Sequence, residues 1–453
     1  MNTIPSHRCQ ICAGLLALAT LLFSGVQAGA LEGAIDIHDP STVAVCNGNY
    51  YVFGTGRGIS VLTSSNGFNW QHGGKVFDRI PDSVKQFVPQ NDGQGVWAPD
   101  IIKLDGEYFL YYSISFWGQY ISAVGLLTNP TLDPNAPNFK WTDRGMVVHS
   151  SEGEDLNAID PGVIHAPDGT LWICYGSYHG NIELVELNPK TGLRIATNSP
   201  VTIIANQSEA ADIIFHDRNY FLFVNHNGCC QGTNSTYNIR VGRSPKITGP
   251  YFDRFGEPMT QGGGSLFLAS ENTHIGPGHF GLLLDDGVEK FSCHYEAELG
   301  HAGRSILDIR PLLWTVDGWP LPGENLRAGT YQIRSQRTGT ILQSSTNAVE
   351  TARYLVHDNQ KWNLTPVGGF CKIASGAGAN VLTARGEATT VEPFIGADNQ
   401  LWKIDQLTDG SHRIASKLGK LALTATFKTK PGNGIALEKF TGDDAQRWAI
   451  AAP

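Results

Sequence analysis

The sequence predicts an all-β protein in two parts, a five-bladed β-propeller followed by a β-trefoil. Five times, an acid or histidine beside Pro or Gly (or an Ala pair) precedes an aromatic-rich strand, with strand starts near residues 49, 107, 170, 219 and 289. A spacing of roughly 50–70 residues with several short strands per unit marks a propeller. Nearer the C-terminus a shorter strand repeats three times at about 40-residue intervals. Gly 52, 10% aromatic and only 17% charged residues suit turns and stacked rings, and no long helical periodicity competes. A chain of 453 residues is also too long for one ordinary core.

In chain order, residues 1–28 read as a signal peptide: His7 and Arg8, an apolar run from Ile11 to Phe23, and a small-residue cleavage site at Val26-Gln27-Ala28 or Ala28-Gly29-Ala30. The run is too short for a membrane anchor, and no second apolar stretch approaches membrane length. A soluble, secreted protein is therefore expected. Removing one Arg with the leader leaves 32 basic against 42 acidic residues, net −10. That disfavours nucleic acid and polyanionic substrates, but not neutral sugars. No membrane partner is expected, and a monomer is. Six cysteines remain, Cys46, Cys174, Cys229, Cys230, Cys293 and Cys371. Their pairing stays open, and no paired C-x-x-C offers a zinc site.

The propeller is expected over residues 30–320. The repeated position places Asp39, Asp100, Asp160, Glu209 and His279 on the innermost strands, which point along one central channel. Several carboxylates in one channel suggest acid/base chemistry on a neutral substrate. Glycosidic hydrolysis takes one protonated carboxylic acid and one ionised carboxylate, with environments that separate their pKa values. An Asp-Pro pair is also a common turn opener. Asp39-Pro40 and Asp160-Pro161, in register with Glu209, favour function over that reading.

Gly318-Trp319-Pro320-Leu321-Pro322-Gly323 reads as a linker. Residues 324–453 then repeat Thr330–Ser335, Phe370–Ser375 and Ser411–Ser416, each copy followed by Gln360-Lys361-Trp362, Gln400-Leu401-Trp402 or Gln446-Arg447-Trp448. This Q-x-W pattern resembles the ricin-type β-trefoil, which implies a carbohydrate-binding domain. A trefoil that only braces the propeller is the alternative.

The segments Ile37-His38-Asp39-Pro40, Val96–Ile101, Ala158–Gly162 and Ser208–Ala210 occur in the order seen in glycoside hydrolase family 43, and the chain resembles its α-1,5-L-arabinanases. Tyr112–Gly118, Cys229–Tyr237, Val241–Ser244, Thr248–Tyr251 and Ile275–His279 extend the likeness over about residues 33–320. The resemblance implies inverting, endo-acting hydrolysis of arabinan or a related arabinose-containing wall polysaccharide. Asp39 would be the general base, Glu209 the general acid, and Asp160 the carboxylate that raises the acid's pKa. Asp212 is the nearest competitor for the acid. His279 would bind a central calcium ion. Trp97, Phe116 and Trp117 are candidates for stacking on sugar rings, Asp100 for contacting substrate, and Arg243 for pairing with a carboxylate. Cys229-Cys230 could be a vicinal disulfide or two thiols. Rival readings are an exo-acting arabinofuranosidase or β-xylosidase, and a non-catalytic carbohydrate-binding protein.

Overall fold

A computed structural model describes residues 31–453 apart from 197, 347 and 427–433. The expected leader lies outside the described residues. Five mainly antiparallel sheets succeed one another along the chain, and the repeated acid or histidine stands just before or within the first strand of each. Blade I is built from Ala44–Cys46, Asn49–Gly54, Ser60–Ser64 and Asn69–Lys75, and blade II from Gly95–Leu104 to Thr142–Ser150. Blade III runs from Gly162–His165 to Thr202–Asn206, and blade IV from Glu209–His216 to Ser265–Leu268. Blade V runs from His274–Asp285 to Pro320–Pro322. Aromatic and aliphatic side chains on facing sheets make the cores between blades. Tyr112 and Ile59 belong to the core between blades I and II, and Tyr111 and Tyr175 to the core between II and III.

The N-terminal segment closes the ring. Glu32–Gly33 pairs in parallel with Asn69–Trp70 of blade I. Leu307 N–H of blade V donates to Ile35 O at 2.8 Å, and Ser305 Oγ donates to Ile37 O at 2.6 Å.

The propeller does not end at a linker. Pro320–Pro322 is the outer strand of blade V, paired with Leu312–Trp314. Proline is tolerated there because an edge strand has a side that needs no donor, so the Pro/Gly run looks like a break although it is still sheet.

Beyond it, the trefoil's three Q-x-W copies do identical work. Trp362, Trp402 and Trp448 are fully buried, and each indole N–H donates to the carbonyl of Leu342, Leu382 or Leu423 at 2.8–2.9 Å. Each Gln Oε1 accepts a backbone N–H, from Leu355, Ile395 or Thr441, at 2.7–2.8 Å. Each Gln Nε2 donates to the carbonyl of Arg353, Pro393 or Lys439. Buried polar groups are thereby satisfied at all three corners of the fold.

Propeller and trefoil meet through charge. Lys290 Nζ of blade V lies 2.8 Å from both Asp285 and Asp405, and Lys403 lies 2.8 Å from Asp285. Arg413 holds Asp405 at 2.7 Å and donates to Asp286 O.

Candidate active site

The backbone is unusual at four of the five repeated sites, at the residue itself in three and at the next residue, Ala210, in blade IV. Asp39, Asp160, Ala210 and His279 all have positive φ, between 49° and 57°. Left-handed backbone costs roughly 1–2 kcal/mol for a residue with a Cβ. In blades IV and V the ladder register slips at this point, between Glu209 and Asp212 and between Gly278 and Gly281. The bulge re-aims a side chain that a regular strand would bury between blades. Asp39, Asp160, Glu209 and His279 thus line one cavity of about 450 Å³.

Asp39 is surrounded by donors. His38 Nδ1 is 2.8 Å from Oδ2, Thr55 Oγ1 donates to Oδ2 at 2.6 Å, and His279 Nδ1 is 3.1 Å from Oδ1. Its backbone N–H donates to His294 Nδ1 at 3.1 Å. Burial opposes ionisation here, but the charges of His38 and His279 outweigh it and hold the carboxyl well below the usual range. His279 is pushed up despite its burial, by the same carboxylate. Glu209 sits in the opposite condition. Burial first, then the charge of Asp160, raise it to about 8, although Tyr237 OH donates to Oε1 at 3.0 Å. Asp160 is raised to about 7, chiefly by burial, with Asp39 adding to the rise and His279 opposing it. One ionised and one protonated carboxyl on separate blades is the division of labour that acid/base hydrolysis requires.

Trp97 and Trp117 also line the cavity, their rings edge to face at 6.0 Å. Three other expected residues are elsewhere. Asp100 follows its proline instead of preceding one, so it lies in a regular ladder opposite Tyr111. Its carboxylate accepts the N–H of Thr42 and of Val163, both at 3.0 Å, and so ties blade I to blade III. Phe116 is half exposed and not part of the lining. Arg243 lies over the Trp319 ring at 4.7 Å and donates to Asp317 O, which makes it a staple of blade IV to blade V. Asp212 also lies in the ladder, opposite Phe223, and does not reach the cavity.

Sequence reasoning missed His38, Tyr237 and Thr55, and the buried His294–Glu296 pair behind His38. His38 and Tyr237 stood inside segments already singled out, so their neighbourhood was a signal. His294 lies on the second strand of its blade, where nothing in the repeat pointed. Cys229 and Cys230 both line the cavity as free thiols, with Sγ atoms 2.7 Å apart. The other four cysteines are buried and free.

His279 would offer calcium one ligand at most, with water supplying most of the rest. Calcium takes six to eight oxygens, whereas His279 turns Nδ1 to Asp39. The triads able to gather three donor atoms are His38–Cys230–Glu296 and His38–Asp39–His294, and among the described residues neither includes His279.

A propeller channel with paired, oppositely tuned carboxyls defines a glycoside hydrolase, and the comparisons agree. Residues 33–320 match the family model "Glycosyl hydrolases family 43", and residues 358–438 match "Ricin-type beta-trefoil lectin domain-like". The chain belongs to glycosyl hydrolase family 43. It is 36% identical over 322 residues to the extracellular exo-α-(1→5)-L-arabinofuranosidase ArbA of Cellvibrio japonicus, covering 67% of this chain and 91% of that one. It is 34% identical to the extracellular endo-α-(1→5)-L-arabinanase 1 of Bacillus subtilis, over 63% of this chain and 87% of the relative. Among solved structures, an exo-1,5-α-L-arabinanase from a bovine ruminal metagenomic library superposes with a TM-score of 0.60 at 38% identity, covering 64% and 97% of the two chains.

Proposed function

We propose that the protein is a secreted, endo-acting arabinanase that hydrolyses α-1,5-L-arabinofuranosidic bonds with inversion. The observation that carries endo action is the shape of the site. The catalytic cavity shares Gln119 and Tyr120 with a neighbouring chamber of about 310 Å³ that is also lined by Glu152, Asp155 and His179. A cleft running through both chambers would accept a chain along its length. In this reading Glu209 protonates the departing sugar oxygen, and Asp39 removes a proton from the attacking water. Asp160 keeps Glu209 protonated, and the Trp97–Trp117 pair stacks on furanose faces. Support for arabinan comes from the names of the relatives. Support for secretion comes from two relatives named extracellular and from the signal-like residues 1–28.

Exo action is the second reading. Tyr120 and His179 stack at 3.6 Å and 3°, a partition that would end the cleft if it stays closed. Digestion of linear arabinan separates the two: a ladder of oligomers supports endo action, and monomer or a single short product overturns it. Proton NMR of the first product should show the β-hemiacetal, and initial release of the α-anomer would remove the base role from Asp39.

Calcium beside His279 is a separate proposal, with water as the main ligand shell. A rise in thermal midpoint on adding Ca²⁺ to chelated protein would support it. The chain is further proposed to act as a monomer, which light scattering checks.

A further inference from the structure

We propose that a groove on the flank of the propeller, outside the catalytic channel, is a second binding site for the arabinan chain. The groove encloses about 520 Å³ between the second, third and fourth strands of blade I and the segment 132–141 that joins two strands of blade II. That segment is pinned rather than loose. Leu132 N–H donates to Cys46 Sγ of blade I at 3.4 Å, and Asn129 Oδ1 accepts the N–H of Thr131 and of Lys140. One wall is aromatic: Trp141 stands edge-on to Phe53 at 5.9 Å and to Phe139 at 6.5 Å, with Trp141 and Phe139 only partly buried. The opposite wall is a cross-strand row, Tyr51 opposite Thr63 and Thr63 opposite Gln71, with Asn69 beside it. The floor is kept empty by Gly73, where a Cβ would come 2.7 Å from Thr63 Cγ2 and 3.0 Å from Val61 Cγ1.

The chemistry of the lining selects the ligand class. Amides and hydroxyls of Asn49, Thr63, Asn69, Gln71 and Asn135 face the groove. The formal charges are Lys75 and Asp133, which cancel, and Lys75 is already paired with Asp78 at 2.7 Å. A nucleic acid or a polyanion finds no cationic surface here. A neutral, hydroxyl-rich chain finds ring faces to stack on and amides to bond, as small-molecule sites generally provide. The volume lies within the usual range for such sites, roughly 300–1,000 Å³. Choosing arabinan as that chain rests on the function proposed above. Holding the polymer at a second point raises its effective concentration at the catalytic cavity.

Affinity electrophoresis in gels containing linear arabinan tests this, with the full chain carrying Glu209→Gln so that the polymer is not cut. Trp141→Ala and the surface pair Asn69→Ala/Gln71→Ala are each added to that parent. Retardation should weaken at least about threefold in both, with unchanged mobility in polysaccharide-free gels. With Glu209 restored, both variants should keep the parent rate on short arabino-oligosaccharides. Equal retardation of the parent and the surface pair overturns the proposal, whatever Trp141→Ala does to folding. Loss of retardation in galactan gels to the same extent overturns the choice of ligand. If the native enzyme cleaves arabinan yet the groove variants bind it normally, only the second site falls. If the native enzyme does not touch arabinan, the substrate reading falls with it.

Discussion

Asp160 helps to raise the pKa of Glu209, which makes the alkaline limb of activity a property of the pair. The acid must be protonated to act, so activity should fall as pH rises through about 8, the value to which Glu209 is raised. Asp160→Asn removes the second-largest cause of that rise while burial remains. Its alkaline limb should move to lower pH in a kcat/KM profile, and an unmoved limb would take the tuning role from Asp160. Asp39 behaves oppositely: held low by His38 and His279, it stays ionised well into the acid range. Glu209→Gln should lower hydrolysis of natural arabinan by about 10²–10⁴-fold, the usual contribution of a general acid, with an unchanged melting temperature. Near-native turnover would pass the role to another group. Asp212 lies too far into its ladder to take it, which the sequence could not show. Asp39 and Asp160 were legible because each precedes a proline at a strand entry. Asp100 was misleading because the same two letters in reverse order place the acid inside the sheet.

The trefoil copies show how a repeat can be read with confidence at the level of an element. Spacing, strand and Q-x-W recur because each copy solves one problem, a buried turn whose backbone groups need partners. Gln400→Leu removes the acceptor for Ile395 N–H and the donor to Pro393 O. Leaving such groups unpaired costs about 1–3 kcal/mol each. Calorimetry should therefore show a clear loss of trefoil stability, and a neutral substitution would mean that water replaces both bonds. The blade count was legible for a similar reason, since the inner-strand entry recurs. What was not legible is where sheet ends. The final edge strand of blade V carries two prolines in three residues, and composition cannot distinguish a strand that needs few donors from a linker that needs none. Contacts such as Arg243 on Trp319 also escaped, because they join blades through residues with no shared sequence pattern.

Across the whole molecule, the ion cluster at Lys290 binds the trefoil to blade V instead of leaving it tethered. Asp405 is buried, yet Lys290, Lys403 and Arg413 pull its carboxyl down to about 2. A depressed folded-state value contributes stability above the unfolded pKa near 4 and loses it as pH falls towards about 2. Asp405→Asn leaves Lys290 and Arg413 without their shared partner, a change that costs about 3–5 kcal/mol when charges are buried. The melting temperature of the variant should fall at neutral pH, and the gap to the parent should close as pH approaches 2. A constant gap would attribute the loss to packing alone. Truncation after Pro322 keeps every strand of blade V, so the propeller should fold without the trefoil, less stably than in the full chain. The ring's closure has a kinetic meaning as well. Ser305 and Ile37 meet across 268 residues of sequence, and contacts that distant form late and slowly. Of the two histidines that hold Asp39 low, His38 is its chain neighbour, but His279 sits on that last blade. On the proposed roles, a chain with four blades assembled already has its proton donor, but its base still lacks one of its two histidine partners. Recovery of activity during refolding should therefore lag behind recovery of β-sheet signal, so that the enzyme is switched on by the clasp that completes it.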